Sequence, residues 1–391
     1  MEPRRRPKDR RDQILRAAAA LFTTQGFPAT TMADIARAVD ITGGALYRHF
    51  ASKDELLQVI ALETVADYRR ALPPPSDDPR QRMVDHLRNS VILSLSEPTR
   101  VCTYIRETHH LPDERRREVR KEQLAVRDAW TELLSSVEPA WQLRDIQVRE
   151  AAVSAVMSVL AERRHALPKD RLVELMTAGL VGLMDTPPLA AQAAEDAPPG
   201  WTAPLSRHQA ILRAAATLFR EQGFDGVGID EIGRASGIAG PTVYRTYASK
   251  ADILVDAYDR ALASVIVSTD AALAEATSAD DALERVALAH AKVAMRETDF
   301  IVVHGREQRS LPAEYREKAR RRTQDHRHLW ARVLQDVRPD LDEAECRALT
   351  APVFSVLRAF AVLETGIRPS AAEAAGMALA FMRTPAQAAV K

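Results

Sequence analysis

Tyr47, Arg48 and His49 carry hydrogen-bond donors in a short run that opens with Thr42, Gly43 and Ala45, and Lys53 follows just beyond. Small residues with hydroxyl, guanidinium, imidazole and ammonium groups at this spacing suit docking on phosphates and base edges, not bond breaking. The run is held by two apolar patterns. Met32, Ile35, Ala36 and Val39 recur at i, i+3, i+4 and i+7 after Thr31, whose hydroxyl can cap the first free amides. Asp40-Ile41-Thr42-Gly43 breaks that helix, and Leu46 with Phe50 restarts it, leaving Ala45, Tyr47, Arg48 and His49 mostly off the apolar face. Two short helices joined by a tight turn form a helix-turn-helix candidate, able to enter a major groove.

Other chemistry lacks its residues. No Gly-x-Ser-x-Gly, phosphate-binding Gly-x-x-x-x-Gly-Lys or His-Glu-x-x-His occurs, so catalysis is not expected. His109-His110 near Cys102 has neither an i, i+4 histidine pair nor a second cluster, and reads as a loop, not a metal site. Cys102 and Cys346 stand far apart, which argues against a disulfide framework and for a reducing compartment. Trp130 and Trp330 read as core residues, and no cofactor is expected.

The same stretch occurs twice. Ile14 to Phe22, Gln25-Gly-Phe27, Tyr47-Arg48 and Ala51-Ser-Lys53 return 197 residues later as Ile211 to Phe219, Gln222-Gly-Phe224, Tyr244-Arg245 and Ala248-Ser-Lys250, with about half the aligned positions identical. Arg106-Glu107, Leu111-Pro112, Trp130 and Pro139 return as Arg306-Glu307, Leu311-Pro312, Trp330 and Pro339, so the duplication covers the whole unit.

A chain of 391 residues with 46% hydrophobic and 28% charged residues can bury two separate cores. Formal net charge is +0, which by itself argues against nucleic acid, but the charges are uneven. Arg4, Arg5, Arg6, Lys8, Arg10 and Arg11 crowd the amino end. No run is long and apolar enough for a bilayer, and no signal-peptide core is present, so a cytoplasmic, nucleoid-associated protein with no membrane partner is expected.

Taken in order, residues 1–9 form a basic arm and 10–55 a first helix-turn-helix domain, its first helix running from about Arg10 to Gln25 and stopped by Gly26-Phe27. Ser52 and Glu55 offer a capping box for a long fourth helix that reaches about Ala71, where Pro73-Pro-Pro75 stops it. Residues 56–185 form a proline-punctuated helical body ending in two apolar helices, 186–204 a linker, 205–252 the second head and 253–384 the second body.

With both copies laid out, the chain resembles the TetR/AcrR family of bacterial transcriptional repressors. An Ile-Leu-x-Ala-Ala helix, Gly-Phe, a Thr-x-x-Ile-Ala helix, Tyr-x-x-Phe and a following Lys carry the likeness. The tandem arrangement and the opening Arg4-Arg-Arg-Pro-Lys-Asp-Arg10 are similar to a subclass that includes repressors of mammalian-cell-entry operons. The resemblance implies an all-α protein of two tandem TetR-like units, each a three-helix head on a ligand-binding and dimerisation body. Dimerisation through the last two helices of each unit would make the chain an intramolecular pseudo-dimer, monomeric or assembled into a higher homo-oligomer. It further implies a ligand-responsive repressor whose partners are a double-stranded operator and a small effector, apolar or lipid-like.

Carried over by position, the DNA-facing set is Thr31, Thr42, Gly43, Ala45, Tyr47, His49 and Lys53 in copy one and Gly228, Ala239, Gly240, Thr242, Tyr244, Thr246 and Lys250 in copy two. Arg48, Arg245 and the arm arginines Arg4, Arg5 and Arg6 join it. Gly228 lacks the cap oxygen of Thr31, and Pro241 lacks an N–H, so the second head is expected to bind more weakly. Unlike recognition helices imply a non-palindromic operator. The rival expectation is a helical ligand-binding or adaptor protein with degenerate heads.

Overall fold

A computed structural model describes residues 7–162, 165–190 and 206–386; within these, eighteen α-helices and no strands are found. The first copy runs α1 (Pro7–Gln25), α2 (Met32–Ala38), α3 (Gly43–Tyr47), α4 (Lys53–Ala71), α5 (Pro79–Ser96), α6 (Pro98–Glu107), α7 (Asp113–Val137), α8 (Leu143–Glu162) and α9 (Lys169–Met184). The second repeats the order as α10 (Arg207–Gly226), α11 (Ile229–Ser236), α12 (Gly240–Thr246), α13 (Lys250–Ala274), α14 (Ala279–Arg296), α15 (Thr298–Arg306), α16 (Ala313–Val337), α17 (Glu343–Ala361) and α18 (Ala371–Arg383). The chain is all-α, in two tandem units of a helix-turn-helix head and a helical body.

Local chemistry explains most boundaries. Pro79 and Pro98 stand in the first turns of α5 and α6, where a missing N–H costs nothing. Gly26 ends α1 at φ +84° and Gly223 breaks α10 at φ +75°, both in the left-handed region that lets the chain turn back. Thr31 and Asp34 form a reciprocal capping box at α2. At α4 the reciprocity is shifted: Ser52 accepts from the Glu55 amide, while the Glu55 carboxylate accepts from Ala51 N–H, not from Ser52. The first helix starts at Pro7, about a turn earlier than its apolar pattern indicates. Pro352 lies inside α17, buried, where local rules forecast a break.

Two compact units emerge, one mainly from residues up to 142 together with 153–181, the other from 143–152 and 182–385. In the first, Ile14, Ala18 and Phe22 of α1, Ile35 of α2, Leu46 of α3 and Leu56, Leu57 and Ile60 of α4 pack into one core with Leu111 and Val119 of the body. The head is therefore welded to its body, each fully buried Leu or Ile contributing roughly 1.5–3 kcal/mol. The second unit repeats this with Ile211, Phe219, Ile232, Val243, Ile253, Leu311 and Ala319. It also takes in the ends of α8 and α9: Arg144 donates to the carbonyls of Ile367 and Arg368 (3.3 and 2.9 Å), and a Cβ on Gly182 would fall 1.8 Å from Thr384 Oγ1. Buried arginines close two helix ends, Arg149 at the carbonyls of Met184 and Thr186, Arg338 at those of Met382, Arg383 and Thr384.

Candidate nucleic-acid interface

Each recognition helix is short and pinned by one buried side chain. Leu46 in α3 and Val243 in α12 are fully buried, while Tyr47 and Tyr244 are each 56% exposed, the same value at the same register. Thr42 caps α3 by accepting from Ala45 N–H at 3.2 Å. Ala239 gives α12 no such cap. Gly43 has open space where its Cβ would stand. Asp40 turns the corner from α2 to α3 at φ +53°, and in copy two that corner is Gly237 at φ +69°. Aspartate is among the few side chains tolerated there.

The expected DNA-facing residues fall into three groups. Tyr47, Arg48, Tyr244 and Arg245 are exposed with Thr42 and Gly43, whereas Ala45, Gly240, Thr242 and Thr246 are half-buried. Arg245 donates to Thr242 Oγ1 at 2.9 Å, and neither Arg48 nor Arg245 forms an ion pair among the described residues. A second group holds the head together. Thr31 is exposed but its hydroxyl donates to Asp34 at 2.6 Å. Lys53 donates to the carbonyls of Phe27 (2.7 Å) and Pro28 (3.3 Å) with its ammonium 4.4 Å from the Phe27 ring, and Lys250 does likewise at Phe224 and Val227. These ammonium groups satisfy carbonyls of the loop that follows the first helix, a structural task that the sequence pattern did not show. Third, His49 lies in the turn after α3, because that helix ends at Tyr47. Arg4, Arg5 and Arg6, like residues 191–204 of the expected linker, lie outside the described residues.

A joint ties each head to its body. Phe27 N–H donates to Glu107 at 3.1 Å and Phe224 N–H to Glu307 at 3.3 Å, so the corner after α6 or α15 grips the chain just past the first head helix. His110 stacks on Phe27 at 5.6 Å, and burial, assisted by His109, lowers its pKa. Where copy one seats Phe50 under the Arg11 guanidinium, copy two seats Tyr247, whose hydroxyl donates to Asp256.

Inside the bodies the tryptophans anchor buried polar groups. The His86 ring lies 4.5 Å from Trp130; in copy two His290, His326 and Phe354 surround Trp330. Among the described residues, His290 Nδ1, His326 Nε2 and Trp330 Nε1 are buried without hydrogen-bond partners, as are His86 Nδ1 and Ser90 Oγ in copy one. No group of three or more His, Cys, Asp or Glu among the described residues is placed to hold a metal.

The family model for bacterial regulatory proteins of the tetR family matches residues 14–60 and 211–257, the two heads with the start of α4 and α13. The nucleoid occlusion factor SlmA of Vibrio campbellii is 33% identical over 162 residues, spanning 40% of this chain and 75% of that protein. The chain belongs to the TetR family. Another relative, the HTH-type transcriptional repressor KstR2 of Mycolicibacterium smegmatis, is 43% identical over 54 residues, only 14% of this chain and 26% of that protein. The match thus covers about a quarter of that relative's length. Among solved structures, the TetR-family regulator PfmR of Thermus thermophilus aligns with 47% of this chain and 98% of its own, at 24% identity and a TM-score of 0.41. Among the described residues of this TetR-family chain, no helix is long and apolar enough to cross a membrane.

Proposed function

We propose that the chain is a DNA-binding transcriptional repressor whose two unlike recognition helices read the two halves of a non-palindromic operator. The observation that carries this is the pairing of like and unlike: Tyr47 and Tyr244 are equally exposed at one register, while five of the other seven residues of 42–49 differ from their counterparts in 239–246. Tyrosines at recognition helices reach phosphates and position the head; Thr42, Gly44, Ala45 and His49 against Ala239, Pro241, Thr242 and Thr246 then specify different bases. KstR2, similar over the matched stretch, is named a repressor.

The effector would enter the bodies, where the unpartnered polar atoms beside Trp130 and Trp330 offer hydrogen bonds within apolar surroundings, suiting an apolar molecule with an acceptor group. Such a ligand acts only by favouring one arrangement of the Glu107 or Glu307 joint over another. Pairing of the last two helices of each copy within one chain is supported by the compact unit that joins residues 143–152 and 182–190 to α17 and α18.

Sequencing DNA selected by the purified protein tests the reading. Two unlike half-sites are expected, and exchanging residues 42–49 for 239–246 must alter the selected motif. A perfect palindrome, or a motif unchanged by the exchange, would overturn it. Failure to enrich any sequence would favour an adaptor with degenerate heads.

A further inference from the structure

Head two carries an acidic side chain that head one lacks. Asp230, the second residue of α11, is exposed and stands at the register of Ala33. Its Oδ1 lies 2.6 Å from where a Cβ on Gly240 would be, so the carboxylate folds over the first residue of the recognition helix. The corresponding Gly43 of head one faces nothing within 4 Å. Asp230 shares a crevice between α11 and α12 with Gly233, Arg234 and Ile238. A Cβ on Gly233 would come 2.8 Å from the Ile238 carbonyl, so the two helices close more tightly than where head one has the buried Ala36. The next acid, Glu231, is occupied, accepting from Gln222 Nε2 at 2.6 Å. Asp230 forms no ion pair among the described residues.

In a helix-turn-helix the start of the first helix crosses the sugar–phosphate backbone and the start of the second faces base edges. A carboxylate in the corner between them confronts phosphates with like charge, in a head that has also lost the hydroxyl of Thr31 to Gly228 and the cap of Thr42 to Ala239. We propose that Asp230 is an affinity-setting residue of head two: its carboxylate repels the operator backbone and holds that head's affinity below that of head one. The first head then seats on its half-site and the second follows at high local concentration through the shared chain. This rests on the reading that both heads bind duplex DNA. A carboxylate could instead accept from a cytosine amino group, but Asp230 folds back on Gly240, and repulsion follows from that pose.

The full chain is tested with D230N, which keeps shape and removes charge, and with A33D, which installs the acid where Gly43 leaves space. Binding of each is measured on the duplex selected by the wild type and on an unrelated duplex, from low to moderate salt, with thermal unfolding confirming the fold. D230N is expected to bind both duplexes about 3- to 10-fold more tightly at low salt, the gain shrinking as salt rises, and A33D to lose a similar factor. Unchanged affinity of D230N overturns the proposal. So does weaker binding with relaxed preference at one base pair, which makes Asp230 a base reader. If wild type and variant alike shift no duplex, it is the DNA-binding reading that fails.

Discussion

Lys53 and Lys250 illustrate how a cation beside a helix start can serve the fold before any ligand. Each bridges two loop carbonyls and lies against the aromatic ring that closes the first head helix. Lys53→Met is therefore expected to destabilise head one by roughly 1–2 kcal/mol, read by hydrogen exchange in α1. Weakened DNA binding with α1 as protected as before would instead place the ammonium on a phosphate. The buried histidines of body two give a pH dependence. Burial lowers His290 to about 3 and His326 to about 4. Below the ordinary pKa near 6.5 the unfolded chain binds protons that the folded one refuses, so stability is full above that pH and falls as pH drops toward 4. The loss by pH 5 should be on the order of 1–2 kcal/mol per histidine, seen as a thermal midpoint that falls between pH 7 and 5.

At the scale of elements, the recognition helices are too short to persist alone and borrow their order from one buried residue each. Leu46→Ala should cost about 2–5 kcal/mol in head one and abolish its half-site footprint, while α10 of head two keeps its protection from hydrogen exchange. Equal loss of protection in α1 and α10 would mean that the heads fold as one. The joint after α6 makes another expectation. Glu107→Gln keeps a weaker acceptor for Phe27 N–H, so the fold should survive while exchange of that amide quickens several-fold. The Glu307 joint gives the same experiment in copy two.

For the molecule as a whole, proposed pairing within one chain has a simple signature. Light scattering at micromolar concentration should return the mass of a single chain, 43.2 kDa, and cleavage between residues 191 and 204 should leave the halves associated. Separate halves that each form tight homodimers would contradict it.

The sequence by itself determined the helices, their stops and the duplication, since these are written in neighbouring residues: a 3.6-residue apolar period, Thr31 before Asp34, Gly26 before Phe27, prolines in first turns. It located the recognition helices and their exposed tyrosines for the same reason. What it left undecided was every partner distant in sequence. Only the fold brought Lys53 to the carbonyl of Phe27, Glu107 to the amide of Phe27, and His326 to Trp330 and Phe354. Pro352 shows the same limit: its ring is accepted inside α17 because the helix is held by buried neighbours such as Leu349, Val353 and Val356, a packing energy that no local rule contains. Asp230 reads in the sequence as one more surface acid. Its meaning comes from the turn that folds it over Gly240, and that turn is set by the packing of one helix on the next.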